Sequence, residues 1–444
     1  MVAFYGDDFT GSSAAMEVLA FAGLETVLFL APPSAERLAA FSGYRGIGIA
    51  GIARARSPEW MNVHLPPIFS RLREVGAPIV HYKVCSTFDS APHIGSIGRA
   101  AEIGRQYFEG WTPLVVSDPG MGRFQAFGNL FAHSNGVGFR LDRHPTMSVH
   151  PSTPMDEADL GRHLARQTDR RIGLVDFVTM KRGGATKMLE DEIAGGAEII
   201  SLDVLDAETL VEAGRLMWKK GATPLFAVGS QGVEQALIAY WRSAGLLTVC
   251  RSTPGFTAAE NIAAVSGSVS PVTAAQISHA EANGFELIRL NAALATDASR
   301  LAKEVVRVSQ LAKAALAGGR SPLVFTAAGP QDPAVEAFRA AVAASKTPLS
   351  TVNDHLGAAL GDILKRLISE TGVRRVVISG GDTSGQAALR LGIDALTAIA
   401  PMAPGAPLCR AHSSVPAIDG LELILKGGQT GAPDFFAAVR AGRQ

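Results

Sequence analysis

The sequence predicts an α/β protein made of two three-layer domains, each with a mainly parallel sheet. Three observations predict it. Short apolar runs alternate with longer Ala-rich helical stretches along all 444 residues, which is the pattern of βαβ units. A turn-rich stretch at 250–258 interrupts the alternation, which then restarts. The 47 glycines exceed the usual ~7%, and several stand where an apolar run gives way to a helix. The expected domains are residues 1–249 and 258–444, in keeping with roughly 150 residues per domain.

Each element follows from this pattern. Val2–Tyr5, Thr26–Leu30, Ile47–Ile52, Ile79–Lys83, Pro113–Ser117, Ile172–Val175, Ile199–Leu202 and Leu225–Val228 read as strands of the first domain. Ser12–Ala22 and Gly95–Phe108 read as helices between them. In the second domain Ile262–Val265, Leu287–Leu290, Leu323–Thr326, Val376–Ser379, Ala398–Pro401 and Leu421–Leu425 read as strands, and Pro433–Arg440 as a closing helix. Gly46-Ile47-Gly48-Ile49-Ala50-Gly51 matches a dinucleotide fingerprint by letter. Its Ile/small alternation makes it the strand itself, so the match is rejected.

Composition excludes several classes. Lys plus Arg and Asp plus Glu are 41 each, so the net charge is zero, and the basic excess of a general nucleic-acid binder is absent. Cys85, Cys250 and Cys409 are far apart, which fits neither a disulfide framework nor a paired-cysteine metal site. No secretory signal and no run of 18 apolar residues is found. The expectation is a cytoplasmic protein with no nucleic-acid or membrane partner.

Open parallel sheets bind ligands beyond the carboxyl ends of their strands, and that rule selects a few segments. Gly6-Asp7-Asp8-Phe9-Thr10-Gly11-Ser12 follows the first strand. Two adjacent carboxylates repel unless something compensates them. One of them could accept a proton from a substrate hydroxyl; alternatively Asp8 caps the next helix and Asp7 is solvated. Lys83 ends a strand and is followed by Ser86 and Thr87, a pattern suited to an anion. The start of the following helix, Gly95-Ser96-Ile97-Gly98, offers free N–H groups. Arg54, Arg56, Arg123 and Arg143 also follow strands or tight turns, and arginine grips a carboxylate with two hydrogen bonds; singly, each also fits a surface position. In the second half, Gly380-Gly381-Asp382-Thr383-Ser384-Gly385 lies between a strand and a helix expected from about Gln386. Its glycines suit a phosphate, and Asp382 suits a magnesium ion held through water. Ser266-Gly267-Ser268-Val269-Ser270-Pro271 and Lys426-Gly427-Gly428-Gln429-Thr430-Gly431 have the same character. Each is also compatible with a plain turn.

These segments, with Gly122-Arg123, Ala403-Pro404-Gly405-Ala406-Pro407 and Pro433-Asp434-Phe435-Phe436, come in one order along nearly the whole chain. In that order they resemble the four-carbon acid sugar kinase family. Residues 81–90 and 142–154 are similar to its branch acting on 3-oxo-isoapionate. Threonate, erythronate and 3-oxo-tetronate stay open as substrates.

The resemblance implies an N-terminal sugar-acid domain, a C-terminal ATP domain and an active site in the cleft between them. It implies that Asp7, Asp8, Lys83, Ser86 and Arg123 meet the sugar acid, and Arg54, from its place after a strand, is expected to bind substrate with them. Ser266, Ser268, Gly380, Gly381, Asp382, Thr383 and Gly428 would meet ATP, with Asp382 near Mg2+. Lys83 and Arg123 are expected to grip the substrate carboxylate, and Asp8, or else Asp7, to accept the hydroxyl proton; Asp382 is the rival base. The family usually has an acid three residues after the glycine of its first motif, where this chain has Ala14. That departure keeps a non-catalytic regulatory protein binding a sugar acid and nucleotide as the alternative. A dehydrogenase lacks its fingerprint. The oligomeric state is open, a homodimer included.

Overall fold

β-Branched and small apolar residues fill the short runs, and they suit strands whose two faces are both covered. The first half of the chain contains β1 (Val2–Gly6), β2 (Thr26–Phe29), β3 (Gly46–Ala50), β4 (Ile79–Lys83), β5 (Thr112–Val115), β6 (Arg123–Ala126), β7 (Asn129–Ser134), β8 (Val137–Arg140), β9 (Ile172–Val175), β10 (Ile199–Leu202) and β11 (Leu225–Gly229). The second half contains β12 (Ala263–Ser266), β13 (Phe285–Arg289), β14 (Ser321–Phe325), β15 (Arg375–Ser379), β16 (Ala395–Ala403), β17 (Ala406–His412) and β18 (Glu422–Lys426). This computed structural model describes residues 1–134, 136–150, 152–218, 223–247 and 255–443, apart from the side chains of Asp382 and Thr383.

The chain divides into two compact units. Unit 1 holds Met1–Thr26 and Ser34–Arg251, and unit 2 holds Val27–Pro33 and Ser252–Gln444. The segment 27–33 therefore belongs with the C-terminal half, although the expected boundary left it in the first domain. The apolar run marks β2 as a strand but does not say which sheet it joins. Here β2 pairs antiparallel with β16 through Val27, Leu28 and Phe29, so that flank of β16 has its backbone groups paired.

Unit 1 has the strand order β3-β1-β4-β11-β5-β10-β9, and every pair is parallel. Gly6 lies level with Ala50 on one side and Lys83 on the other. The residues that follow these three strands are thus brought to one rim. Strands β6, β7 and β8 form a separate antiparallel sheet that the βαβ pattern did not foretell. In unit 2, β13-β14-β12-β15-β18 run parallel, and β17 and β16 add an antiparallel hairpin. Its turn is Pro404–Gly405, with Gly405 at φ 81°. The Pro-Gly motif is therefore a hairpin corner.

Two helices begin earlier than their sequence patterns indicated. The first spans Phe9–Phe21, because Asp8 accepts the Gly11 N–H and caps it. The helix after β15 spans Gly381–Leu391 and not from about Gln386. Gly380 makes the whole turn alone at φ 127°, a region only glycine enters easily. Asp382 and Thr383 consequently lie in the first helical turn; their side chains are outside the described residues.

The core of unit 1 packs Met61, Leu65 and Phe69 of the helix Pro58–Glu74 against Tyr5, Val80, Tyr82 and Phe226 of the sheet. Phe69 meets the edges or faces of Tyr82, Phe108 and Phe226 at ring distances of 6.2, 6.4 and 5.4 Å. Unit 2 has its own core around Ala264, Leu323, Val377, Ile424, Phe435 and Phe436. Among the described residues no helix is long and apolar enough to cross a membrane. Cys85 and Cys409 are free thiols; Cys250 is outside the described residues. Phe69→Ala is expected to cost about 3–5 kcal/mol of stability, read as a lowered denaturant midpoint.

Candidate functional site

The rim of unit 1 is built around two consecutive carboxylates. The Asp7 backbone is tied on both sides, its N–H to the Lys83 carbonyl at 2.9 Å and its carbonyl to the Arg54 N–H at 3.1 Å. Arg54 lies in the short helix Ala53–Ala55 that follows β3. Gly95, at φ 61°, approaches so closely that a Cβ there would lie 2.5 Å from the Arg54 carbonyl. Gly95 thus fixes the loop that carries Arg54.

The two aspartates have opposite surroundings. Asp8 is fully engaged. Its Oδ1 accepts from the Gly11 N–H at 2.8 Å, and its Oδ2 accepts from Thr10 Oγ1 at 2.7 Å and pairs with Arg54 Nη2 at 2.9 Å. Burial would raise its pKa, but Arg54, Lys83, Thr10 and Gly11 together hold it below the usual value. Asp7 is 1% exposed, and its Oδ1 has no hydrogen-bond partner. Burial first, and then the charge of Asp8, push its pKa up to about 7, against the pull of Arg54 and Lys83. The pair therefore splits into one fixed anion and one carboxyl that titrates near neutrality.

Lys83 is buried at 1% exposure and donates to the Val84 carbonyl at 2.7 Å. A Cβ at Gly11 would collide with Asp8 Oδ1 and lie 2.9 Å from Lys83 Nζ. The glycine leaves the room in which the ammonium and the carboxylate face each other. Beyond Lys83, Cys85 Sγ lies 3.1 Å from Thr87 Oγ1, and Thr87 donates to Asp89 Oδ1. Burial, and then Asp89, push the Cys85 thiol up to about 11, so it is not a thiolate nucleophile. Phe88 holds φ 57° while fully buried. A bulky residue in that conformation is a strained position. Ser86 is half-buried in the same turn.

Arg123 opens β6. Its Nη1 donates to the Met121 carbonyl at 3.1 Å, its Nε is buried without a partner, and no carboxylate among the described residues lies within ion-pair distance. Burial lowers its pKa, while Cys85, Asp118 and Asp89 pull the other way. Arg123 therefore lies within electrostatic reach of the Cys85–Asp89 turn. The β6–β7 corner is held by Asp203, which is fully buried and accepts from Gln125 Nε2 and from the N–H groups of Phe127, Gly128 and Phe177.

The structure thus gathers Asp7, Asp8, Arg54 and Lys83, with Ser86 on the adjoining turn and Arg123 at the start of β6. Thr10, Gly11 and Asp89 belong with them. Gly11 and Asp89 stand in the motifs, but nothing in the sequence tells that they touch these groups. One expectation fails. The helix start at 95–98 is not an open anion site, because Gln167 Oε1 accepts the Gly98 N–H at 3.2 Å and Ser96 Oγ the Arg99 N–H at 3.1 Å. Ala14 is buried in the helix Phe9–Phe21.

Unit 2 carries a second rim. The Gly267 N–H bonds the Ser379 carbonyl and the Gly380 N–H the Lys426 carbonyl, both at 2.9 Å. Ser270 and Thr273 donate to the Gly428 carbonyl, joining that turn to the one after β12. Among the described residues no side chain caps the helix Gly381–Leu391, and the first N–H groups of a helix suit an anion. A cavity of about 320 Å³ lies here, lined by Gly267, Ser268, Gly380, Gly381, Phe338 and Leu356 among others. Its size and mixed lining suit a nucleoside. A larger cavity of about 720 Å³ lies at the amino ends of β12, β15 and β18. Its bases are already paired, Lys313 with Glu370 and Arg375 with Glu422. Among the described residues no three His, Cys, Asp or Glu side chains form a metal-holding group.

Comparison with known proteins finds a family model on each half of the chain. Residues 2–237 match the model of a sugar-binding N-terminal domain, and residues 263–436 that of a nucleotide-binding C-terminal domain. The chain is 49% identical over 444 residues to the 3-oxo-isoapionate kinase of Paraburkholderia graminis, covering 100% of this chain and 94% of that protein. It is 31% identical to a 3-oxo-tetronate kinase of Methylobacterium radiotolerans, covering 97% of this chain and 96% of the relative. A crystal structure from Haemophilus influenzae shares the fold, with a TM-score of 0.71, 22% identity and 99% of each chain covered.

Asp203→Ala leaves four donors without their acceptor. The expected cost is about 2–4 kcal/mol. Amide hydrogen exchange at Phe127, Gly128 and Phe177 is expected to accelerate more than at β4.

Proposed function

The chain belongs to the family that joins a sugar-binding N-terminal domain to a nucleotide-binding C-terminal domain, and from that premise we propose that it is an ATP-dependent kinase of 3-oxo-isoapionate. The substrate class rests on similarity along the whole chain to the Paraburkholderia graminis kinase. The roles of the residues rest on one observation: Asp8 is saturated by Thr10, Gly11 and Arg54, while the Asp7 oxygen has no donor.

On this reading Asp7 is the base. A carboxylate with a pKa about 7 is deprotonated often enough to act and basic enough to draw a proton from a hydroxyl. Asp8 is the fixed anion that orients Arg54. Lys83, buried beside both, offsets their charge so that the deprotonated pair is tolerated. Arg123, desolvated and without a carboxylate of its own, is the grip for the sugar-acid carboxylate. This narrows the expected roles, since Lys83 moves from gripping substrate to neutralising the aspartates.

ATP is proposed to bind at Ser266, Ser268, Gly380, Gly381 and Gly428, with the phosphates at the start of the helix Gly381–Leu391. Phosphoryl transfer asks for placement and charge neutralisation more than for covalent help from the protein. Magnesium is proposed to enter as the nucleotide complex, and such an ion needs only one or two carboxylates besides water and phosphate. Asp382, in the first turn of that helix, is the carboxylate proposed for it, with Thr383 beside it. A sugar-acid substrate and ATP support the proposal of a cytoplasmic location.

A coupled ADP-release assay across 3-oxo-isoapionate, 3-oxo-tetronate, threonate and erythronate tests this reading. The highest kcat/KM is expected for 3-oxo-isoapionate. Sugar-acid binding with no ADP release from any of them would instead identify a regulatory protein. Asp7→Asn is expected to lower kcat by at least about 10²-fold with little change in nucleotide titration. For the wild type, kcat/KM should rise with pH and level off above about 7, because the raised pKa leaves Asp7 protonated and inactive below it. Asp8→Asn removes the repelling charge, so the acid limb should move to lower pH. An acid limb unmoved by Asp8→Asn would contradict the coupling.

A further inference from the structure

We infer that Lys426 supplies the positive charge that binds the phosphates of the nucleotide, and that it sets the preference for triphosphate over monophosphate. This rests on the nucleotide reading of unit 2.

Lys426 ends β18 and is completely buried. Lysine is almost never fully buried unless it is paired. Among the described residues the ammonium donates only to the Gly427 carbonyl, at 3.0 Å, and no carboxylate lies within ion-pair distance. The ammonium lies 5.6 Å from the ring centre of Phe435, a contact that helps a cation but does not neutralise it. Burial holds its pKa down to about 8.

Its neighbours make the position a site. Ser266 is in register with Ser379, and Ser379 with Lys426. Residues level across parallel strands share a face, so three polar side chains form a row at the carboxyl ends of β12, β15 and β18. All three are fully buried. The Ser379 hydroxyl, next to Lys426, has no hydrogen-bond partner. A buried cation that no described carboxylate pairs, beside a hydroxyl with no described partner, is a costly arrangement inside an otherwise apolar core. Directly beyond this row are the two turns proposed to face phosphate, and the Gly380 N–H bonds the Lys426 carbonyl itself. An anion with several oxygens would supply what both groups lack. A triphosphate, with more charge than a monophosphate, gains most from a fixed ammonium.

The test is calorimetric titration of the full-length protein with ATP, ADP and AMP, comparing wild type with Lys426→Met, a neutral chain of similar length. Folding is checked by thermal unfolding, and Lys426→Gln is read in the same way should the Met variant not fold. Expected is a loss of about thirtyfold for ATP, the scale of one charge-assisted hydrogen bond, a smaller loss for ADP, and less than about threefold for AMP. Unchanged ATP affinity, or an equal loss for all three nucleotides, overturns the inference while leaving the nucleotide reading in place. Wild-type protein that binds none of the three overturns both.

Discussion

Two carboxylates on consecutive residues at the end of a buried strand cannot both be ionised cheaply, and Arg54 decides which one is. The guanidinium is 2.9 Å from Asp8 Oδ2, and the helix that starts at Phe9 adds the Gly11 N–H to the same carboxylate. With Asp8 fixed as an anion, Asp7 carries the electrostatic burden of both. The rest of the rim serves this asymmetry. Gly95 holds the Arg54 loop by close backbone approach, Gly11 leaves space for Lys83, and the Asp7 backbone is pinned to the loops on either side.

Unit 2 uses the same device with the opposite sign. A parallel sheet brings its strand ends level, and the residue at each end is covered by the turn that follows. Among the described residues, that places in unit 1 a carboxyl oxygen without a donor at the rim, and in unit 2 an ammonium without a carboxylate. Each is expensive alone, and each is suited to a ligand bringing the missing partner. On the proposed reading a hydroxyl proton answers Asp7, and a phosphate answers Lys426.

Much of this was legible in the sequence. The strand-end rule pointed to Asp7, Asp8, Lys83 and the Gly380–Gly381 turn, because strand and helix signals are local. The order of these weak motifs along the chain pointed to the family. What stayed hidden was long-range. An apolar run does not reveal its sheet, so the pairing of β2 with β16 could not be read from residues 27–33. Gly95 reads as a helix start, yet its close contact is with Arg54, some forty residues earlier in the chain. Two adjacent aspartates look equivalent until Thr10, Gly11 and Arg54 are seen to serve only one of them. Lys426 reads as the start of a turn until Phe435 and that turn are seen to bury it.

The central claim is that the aspartate pair is unequal, and carboxyl ¹³C NMR titration with Asp7 and Asp8 assigned tests it directly. The account predicts that Asp7 titrates at about 7 while Asp8 stays ionised to below the ordinary aspartate range. Both groups titrating together near the ordinary value of about 4, or Asp8 titrating above Asp7, would contradict it.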